Sequence, residues 1–417
     1  MLKSRIQMLA VVFAVLSVFF VSRLLLSNGA TFGNYFVTRD WADTSMDFFN
    51  PLSFFAESDP YSSNSNYPAF CAALFKVFRL FLPDDAPVDA FELRVYMPAQ
   101  IVYITMLVGC LFLIAFSLLR MTDKLGERQR IAVCAVVVFS GPMIFSLERG
   151  NIILLAFALT ILFVAEYKSD SSRARWGAYI ALAIAAGLKV YPCVFALLVL
   201  RNGHREFIGV CALSAIALIA PFFAFDGFES IGKMLGGMGA STNDQIGLGL
   251  GHQFSFSFLI RDIAAFAGVR LRDISVIWQV AAMLICLFLF VVARKEWMKV
   301  FALALACVWV PSFAATYSLL FFAIPAILFV CEADIDDLSR LRLYEVACSV
   351  SFAFIMAPLA FPRVSFRRVL TAWPHAVSPL TYGELAIQLA ILIILVYSVF
   401  SSVRDNRQSR RLTATIG

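Results

Sequence analysis

The stretch "DTSMDFFN" carries two carboxylates, Asp43 and Asp47, four residues apart. A helix starting near Trp41 would put both on one face, a turn apart, with Met46, Phe49 and Phe54 available to lie on a membrane surface. Like charges at that spacing repel. Left in solvent, the pair belongs to an ordinary amphipathic helix. Packed down onto apolar helices, one carboxyl is pushed toward its neutral form and becomes a general base. Other polar residues have matching chemistry. The stretch "SLERGNIILL" sets Glu148, Arg149 and Asn151 together at the junction of two apolar runs, either as a charged hairpin turn or as part of a site. Lys189 stands inside an apolar run, where an ionisable residue costs at least ~2.5 kcal/mol on insertion scales and so faces a cavity and a partner. Lysine is a compact cation suited to a phosphate. His252 and Gln253 follow a glycine-rich loop and read as ligand contacts or as turn formers. Arg363, Arg367 and Arg368 form a basic patch, a solvated face or a contact to lipid phosphates.

The chain that must position these groups is built for lipid. Of its 417 residues, 61% are hydrophobic and 15% charged, and its mean hydropathy is +0.83. Soluble domains run at roughly 45–50% apolar and 25% charged. The fold class is therefore an all-α polytopic membrane protein. Apolar runs near spanning length lie at about 6–26, 95–118, 131–147, 150–166, 207–225, 274–293, 297–314, 316–331, 344–361 and 383–402. A further stretch, Trp176 to Leu200, is interrupted by "LKVYP" and reads as two short helices that turn back at Lys189–Pro192. Broken backbone at membrane depth requires protein or a watery cavity around it. The first run reads as a retained anchor, being long for the apolar core of a signal peptide and lacking an A-x-A site.

Charge sets the orientation. With the N-terminus inside, short inner segments hold 20 of the 34 Lys and Arg and long outer loops hold eleven, so both ends lie on the cytoplasmic side. Two outer loops, 27–93 and 226–273, are too long for simple connectors and are the natural place for a site within one membrane domain spanning 1–417. The net charge of +6 is spread over the ends of apolar runs, which excludes nucleic acid as a partner. Three His leave no His-rich metal site, and nine Cys without a CxxC pair act as small hydrophobes. The sequence has no GxxxxGK[ST], HExxH or GxSxG, so nucleotide-driven transport, zinc proteolysis and serine hydrolysis lack their equipment. Neither cofactor nor metal is called for. Any activated substrate must arrive through the membrane.

In order along the chain come an early outer-loop Asp, "DPYSSNSNYPAF", "SLERGNIILLAF" and "AIAAGLKVYPCVFALLVL". This series resembles the family 87 glycosyltransferases, which include polyprenol-phosphate-mannose-dependent α-mannosyltransferases. The resemblance implies a GT-C fold, here a bundle of about 10–12 transmembrane helices with a broken or re-entrant pair, whose first outer loop carries the catalytic Asp. An ungapped reading puts Asp43 on that Asp and Asp59–Pro60–Tyr61 on the following turn, with Asp47 the fallback. It implies a hexosyl- or pentosyltransferase, mannosyl-like, in the inner membrane of a bacterium, serving envelope glycan assembly. Its partners are a polyprenyl-phosphate sugar donor, a glycolipid or glycan acceptor and membrane lipid, and its site faces the periplasm. The base deprotonates an acceptor hydroxyl, which displaces the lipid phosphate with inversion, and Lys189 and Arg149 stabilise that phosphate. Tyr61, Tyr67, Asn151, Tyr191, His252, Gln253 and Tyr317 are then substrate contacts. Members often carry a His followed by an aromatic where "PSFAATYSLL" has Thr316 before Tyr317.

A transporter or flippase of lipid-linked saccharides would also want an intramembrane Lys and broken helices. It leaves the long polar first loop without a use, and no inverted repeat is visible. A scaffold subunit would leave Asp43 and Lys189 without purpose.

Overall fold

The computed structural model describes residues 4–30, 32, 43–56, 61, 67–247, 253–266, 275–332, 343–358 and 382–416. Asp59, Pro60, His252, Arg363, Arg367 and Arg368 lie outside them. Apart from an isolated antiparallel bridge between Gln253 and Ala315, every regular element among the described residues is helical. In order these are α1 (Ser4–Leu26), α2 (Met46–Phe54), α3 (Ala69–Arg79), α4 (Ala90–Val95), α5 (Met97–Met121), α6 (Glu127–Val138), α7 (Gly141–Arg149), α8 (Ile153–Glu166) and α9 (Ser172–Leu188). There follow α10 (His204–Ile219), α11 (Phe228–Gly247), α12 (Phe256–Phe266), α13 (Ser275–Val292), α14 (Glu296–Trp309), α15 (Ala323–Cys331), α16 (Leu343–Met356) and α17 (Tyr382–Ile416). Three segments, Tyr191–Asn202, Ala220–Ala224 and Thr316–Phe322, wind as 3-10 helices.

Among the described residues, four helical stretches are long and apolar enough to cross a membrane: Ser4–Leu26, Met97–Met121, His204–Ala224 and Ala386–Val403. The bent pair Glu127–Val138 and Gly141–Arg149 makes a fifth. The protein is thus all-α and polytopic. Other apolar runs form helices of 10–17 residues, among them Ile153–Glu166 and Leu343–Met356, shorter than the roughly 20 residues a straight span needs. The apolar runs of the sequence therefore divide between full-length helices and short or broken ones.

The chain divides into two compact units. One comprises Met1–Thr31, Thr122–Pro142 and Gly251–Gly417. In it α1 packs on α16 and α6, α16 on α17, and α14 on both α13 and α15. Its interior is aromatic, with Trp297, Phe301, Phe329 and Phe352 each at most 1% exposed. Arg5 of α1 is buried there, paired with Glu345, donating from Nη1 to the Phe329 carbonyl at 2.8 Å and lying 4.5 Å above the Phe329 ring. Breaking such a pair would strand a buried charge, so α1 is tied to this unit chemically as well as by packing.

The other unit comprises Phe32–Met121 and Met143–Leu250. Here α5 packs on α8, α8 on α9 and α9 on α10. Helix α9 ends at Leu188, and Lys189 is extended (φ −142°, ψ 124°) before Pro192 opens the first 3-10 segment. That segment runs back along α9. Asn202 at its end donates to the Tyr179 hydroxyl at 2.9 Å and the Tyr167 carbonyl at 2.6 Å, and Arg175 of α9 pairs with Glu206 at 2.9 Å. A 3-10 run of this length is uncommon. It is held between α9 and α10, as broken backbone must be.

Candidate active site

Helix α2 begins at Met46, later than a start near Trp41, because Ser45 takes the left-handed conformation (φ 63°, ψ 8°). Asp43 therefore precedes the helix while Asp47 sits in its first turn, so the two do not share a helical face. The apolar residues expected on a membrane surface point inward: Met46 and Phe49 are 2% and 1% exposed. Phe48 and Phe49 pack against the Tyr103 ring of α5, at 5.1 and 5.3 Å between centroids.

Arg149 brings the two carboxylates together. Its Nη1 donates to Asp43 Oδ2 and, at 3.1 Å, to the Asp43 carbonyl, while Nη2 donates to Asp47 Oδ1. Asn151 Nδ2 holds the other Asp47 oxygen at 2.7 Å. One arginine thus separates two charges that would otherwise repel. Asp47 has both oxygens committed. Among the described residues no donor reaches Asp43 Oδ1, and the Asp43 side chain is 21% exposed. Burial works to raise the Asp47 carboxyl, but the charge of Arg149, the hydrogen bonds from Arg149 and Asn151, and the charge of Lys189 together bring it below the ordinary value.

The geometry of this clamp is set by the turn after α7. Gly150 donates to the Leu147 carbonyl and Asn151 to the Ser146 carbonyl, both at 3.1 Å, the two bonds of a Schellman ending. Gly150 has φ 64°, and a Cβ there would lie 2.8 Å from the Tyr103 ring and 3.3 Å from Phe48 Cβ. Asn151 has a second duty, since its Oδ1 accepts from Ile153 N at 2.9 Å and so starts α8. Across the turn, Ser45 N donates to the Glu148 carbonyl at 2.9 Å, and the Ser45 and Tyr103 hydroxyls bond at 2.9 Å. Sequence reasoning missed Ser45 and Tyr103. A tyrosine inside the apolar run 95–118 was the available signal, because a buried phenol needs a partner.

Lys189 reaches the same cluster from the broken hairpin. Its ammonium lies 4.4 Å above the Tyr67 ring and interacts electrostatically with Asp47 and Cys71. Among the described residues it has neither a hydrogen bond nor an ion-pair contact. The break is seated closely: a Cβ on Gly187 would lie 2.8 Å from Phe70 of α3. Tyr61 is 3% exposed and stacks on Phe222 at 5.8 Å, with its hydroxyl donating to the Tyr67 carbonyl at 3.1 Å. Tyr191 is half-buried, two residues beyond Lys189. The structure thus gathers Asp43, Asp47, Arg149, Asn151, Lys189 and Tyr67 in one unit. Gln253 and Tyr317 belong to the other, where Gln253 is buried in its bridge to Ala315 and Tyr317 opens a 3-10 turn beside the buried Thr316.

These features define a polytopic helical membrane protein with an acidic pair clamped by an arginine and flanked by a lysine at a helix break. The chain belongs to glycosyltransferase family 87, whose model matches residues 66–321. That segment contains Arg149, Asn151, Lys189, Gln253 and Tyr317 and begins after the two aspartates. Neither a curated protein nor a solved structure matches the chain. The protein is accordingly a membrane glycosyltransferase, with a sugar donor and an acceptor as its substrates.

Proposed function

We propose that this enzyme moves a hexosyl or pentosyl unit from a polyprenyl-phosphate sugar to a hydroxyl of a lipid- or glycan-linked acceptor, on the periplasmic face of a bacterial inner membrane and with inversion. The observation that carries the reading is the asymmetry of the two aspartates on Arg149. Asp47, with both oxygens bonded and its carboxyl held low, is a poor proton acceptor. Among the described residues Asp43 keeps one oxygen without a donor, on a partly exposed side chain, and is the base. It removes the acceptor's proton while the oxygen attacks the anomeric carbon. The bond to the lipid phosphate breaks, and the departing charge is met by Lys189, whose ammonium has no acceptor to give up among the described residues. Arg149, with both terminal nitrogens on carboxylates, holds the base in place. A lipid-borne donor is supported by the place of Lys189 within an apolar run of the sequence and by the lack of a nucleotide-binding motif there.

The test is sugar transfer by purified protein in nanodiscs, supplied with a panel of polyprenyl-phosphate sugars. Asp43→Asn should lower turnover by roughly 10²–10⁴-fold, the usual contribution of a general base, with the fold intact. Asp47→Asn should lose less. If no donor is consumed by the wild type while lipid-linked saccharide is still bound or moved, the donor assignment fails.

A further inference from the structure

Beside the aspartate pair stands a third carboxyl that this mechanism leaves unused. Glu148 is 9% exposed, and neither of its side-chain oxygens has a hydrogen bond of standard geometry. The Thr44 hydroxyl beside it is also buried, makes no bond of standard geometry among the described residues, and is the hydrogen-bonding neighbour of Glu148. Buried polar groups are nearly always paired, so a buried carboxyl whose hydrogen-bonding neighbour is a hydroxyl, itself able to donate and to accept, is placed to exchange a proton through it. The charged and titratable groups that act on Glu148 are Asp43, Asp47, Arg149 and the Tyr103 phenol. Among the three carboxyls the available bonding differs. Among the described residues Asp47 has no oxygen open, Asp43 has one, and Glu148 meets only the Thr44 hydroxyl.

We propose that Glu148 is the terminal proton acceptor of the transfer reaction, taking from Asp43, through the Thr44 hydroxyl, the proton removed from the sugar acceptor. The inference rests on Asp43 being the base. In the step itself the acceptor O–H bond breaks and its electron pair forms the bond to the anomeric carbon. The anomeric carbon–phosphate oxygen bond breaks, its pair leaving on the lipid phosphate, and the proton goes to Asp43. A neutral Asp43 no longer balances Arg149. Thr44 adjoins Asp43 in sequence and lies beside Glu148, and the backbone N–H of Ser45 donates to the Glu148 carbonyl at 2.9 Å, so the segment that carries the base is fastened to the residue that would relieve it. Passing the proton to Glu148 restores the Asp43–Arg149 pair before the product departs, and release of the proton to water resets Glu148.

Two near-isosteric substitutions, Glu148→Gln and Thr44→Val, test this in nanodisc-reconstituted enzyme. Each should lower kcat roughly 10–100-fold, at or below the low end of what a positioned proton-transfer group contributes, with KM for donor and acceptor unchanged. The pH–rate profile of Glu148→Gln should lose one ionisation that Glu148→Asp retains. Infrared difference spectra of the purified protein on acidification should show a carboxyl C=O band in the wild type that Glu148→Gln lacks, a readout that needs no turnover. Wild-type kcat and pH profile in Glu148→Gln, or identical infrared bands in the two proteins, would overturn the proposal while leaving the transferase reading intact. Absence of transfer by the wild type with any donor would overturn both.

Discussion

Two aspartates on one arginine are unequally held, and the hold on Asp47 has a measurable consequence in stability. The Asp47 carboxyl lies below its ordinary value in the folded protein because Arg149, Asn151 and Lys189 outweigh its burial. A carboxylate lowered by folding stabilises the fold above its unfolded pKa, about 3.9, and the contribution is lost as pH falls through the lower folded value. Asp47→Asn should therefore destabilise the protein at neutral pH by about 1–3 kcal/mol, the cost of leaving buried donors short of an acceptor. The gap between wild type and variant should close as the pH drops below about 4. Thermal unfolding in nanodiscs across that range checks it, and a gap that is constant with pH would mean Asp47 is not held low. The two aspartates were legible from type and spacing alone. Their common partner was not, because Arg149 lies 106 and 102 positions away and only the folded bundle brings it to them.

Short connecting elements, more than the helices, give the site its shape. Ser45 in the left-handed region turns Asp43 off the axis of α2, Gly150 ends α7 so that Arg149 and Asn151 both face the aspartates, and Lys189 ends α9. Gly150→Ala combines a positive φ with a Cβ 2.8 Å from the Tyr103 ring. It should cost roughly 1–3 kcal/mol of stability and reduce turnover by displacing the arginine clamp. Gly177→Ala in α9 is the control: a Cβ there meets nothing within 4 Å, and in a helix interior it should be neutral or stabilise by roughly 0.5–1 kcal/mol. Equal unfolding temperatures for the two variants would show that the turn does not carry the geometry assigned to it. Element type was readable wherever Pro, Gly or a charge interrupts an apolar run, as in "LKVYP". The start of α2 was not. Its periodicity runs on upstream, and what stops the helix is tertiary, the hold of the Glu148 carbonyl and the Tyr103 hydroxyl on Ser45.

For the molecule as a whole, composition and the length of the apolar runs were enough to read a polytopic helical bundle, since only helices and closed barrels satisfy a backbone in lipid and runs near ~20 residues suit helices. The number of full-length spans was not readable, because apolar length does not distinguish a straight helix from one broken inside the protein. Orientation is the property on which the donor depends. Short segments such as 120–130 and 168–175 are dense in Lys and Arg, and on the positive-inside rule the proposed orientation sets them in the cytoplasm with the aspartates opposite. On a cysteine-free background, Asp123→Cys in the exposed turn before α6 and Glu229→Cys on α11, whose side chain is 70% exposed, report the two sides. Met234 of α11 shares a buried cluster with Tyr61 and Phe222 in the unit that holds the aspartates, so Glu229 serves as the reporter for the side of the site. A membrane-impermeant maleimide applied to intact cells should label Glu229→Cys and reach Asp123→Cys only after permeabilisation. The opposite pattern would turn the aspartates toward the cytoplasm, where soluble nucleotide sugars are available. A lipid-borne donor would then lose its physical necessity, because the substrate would no longer have to be carried across the membrane to reach Asp43.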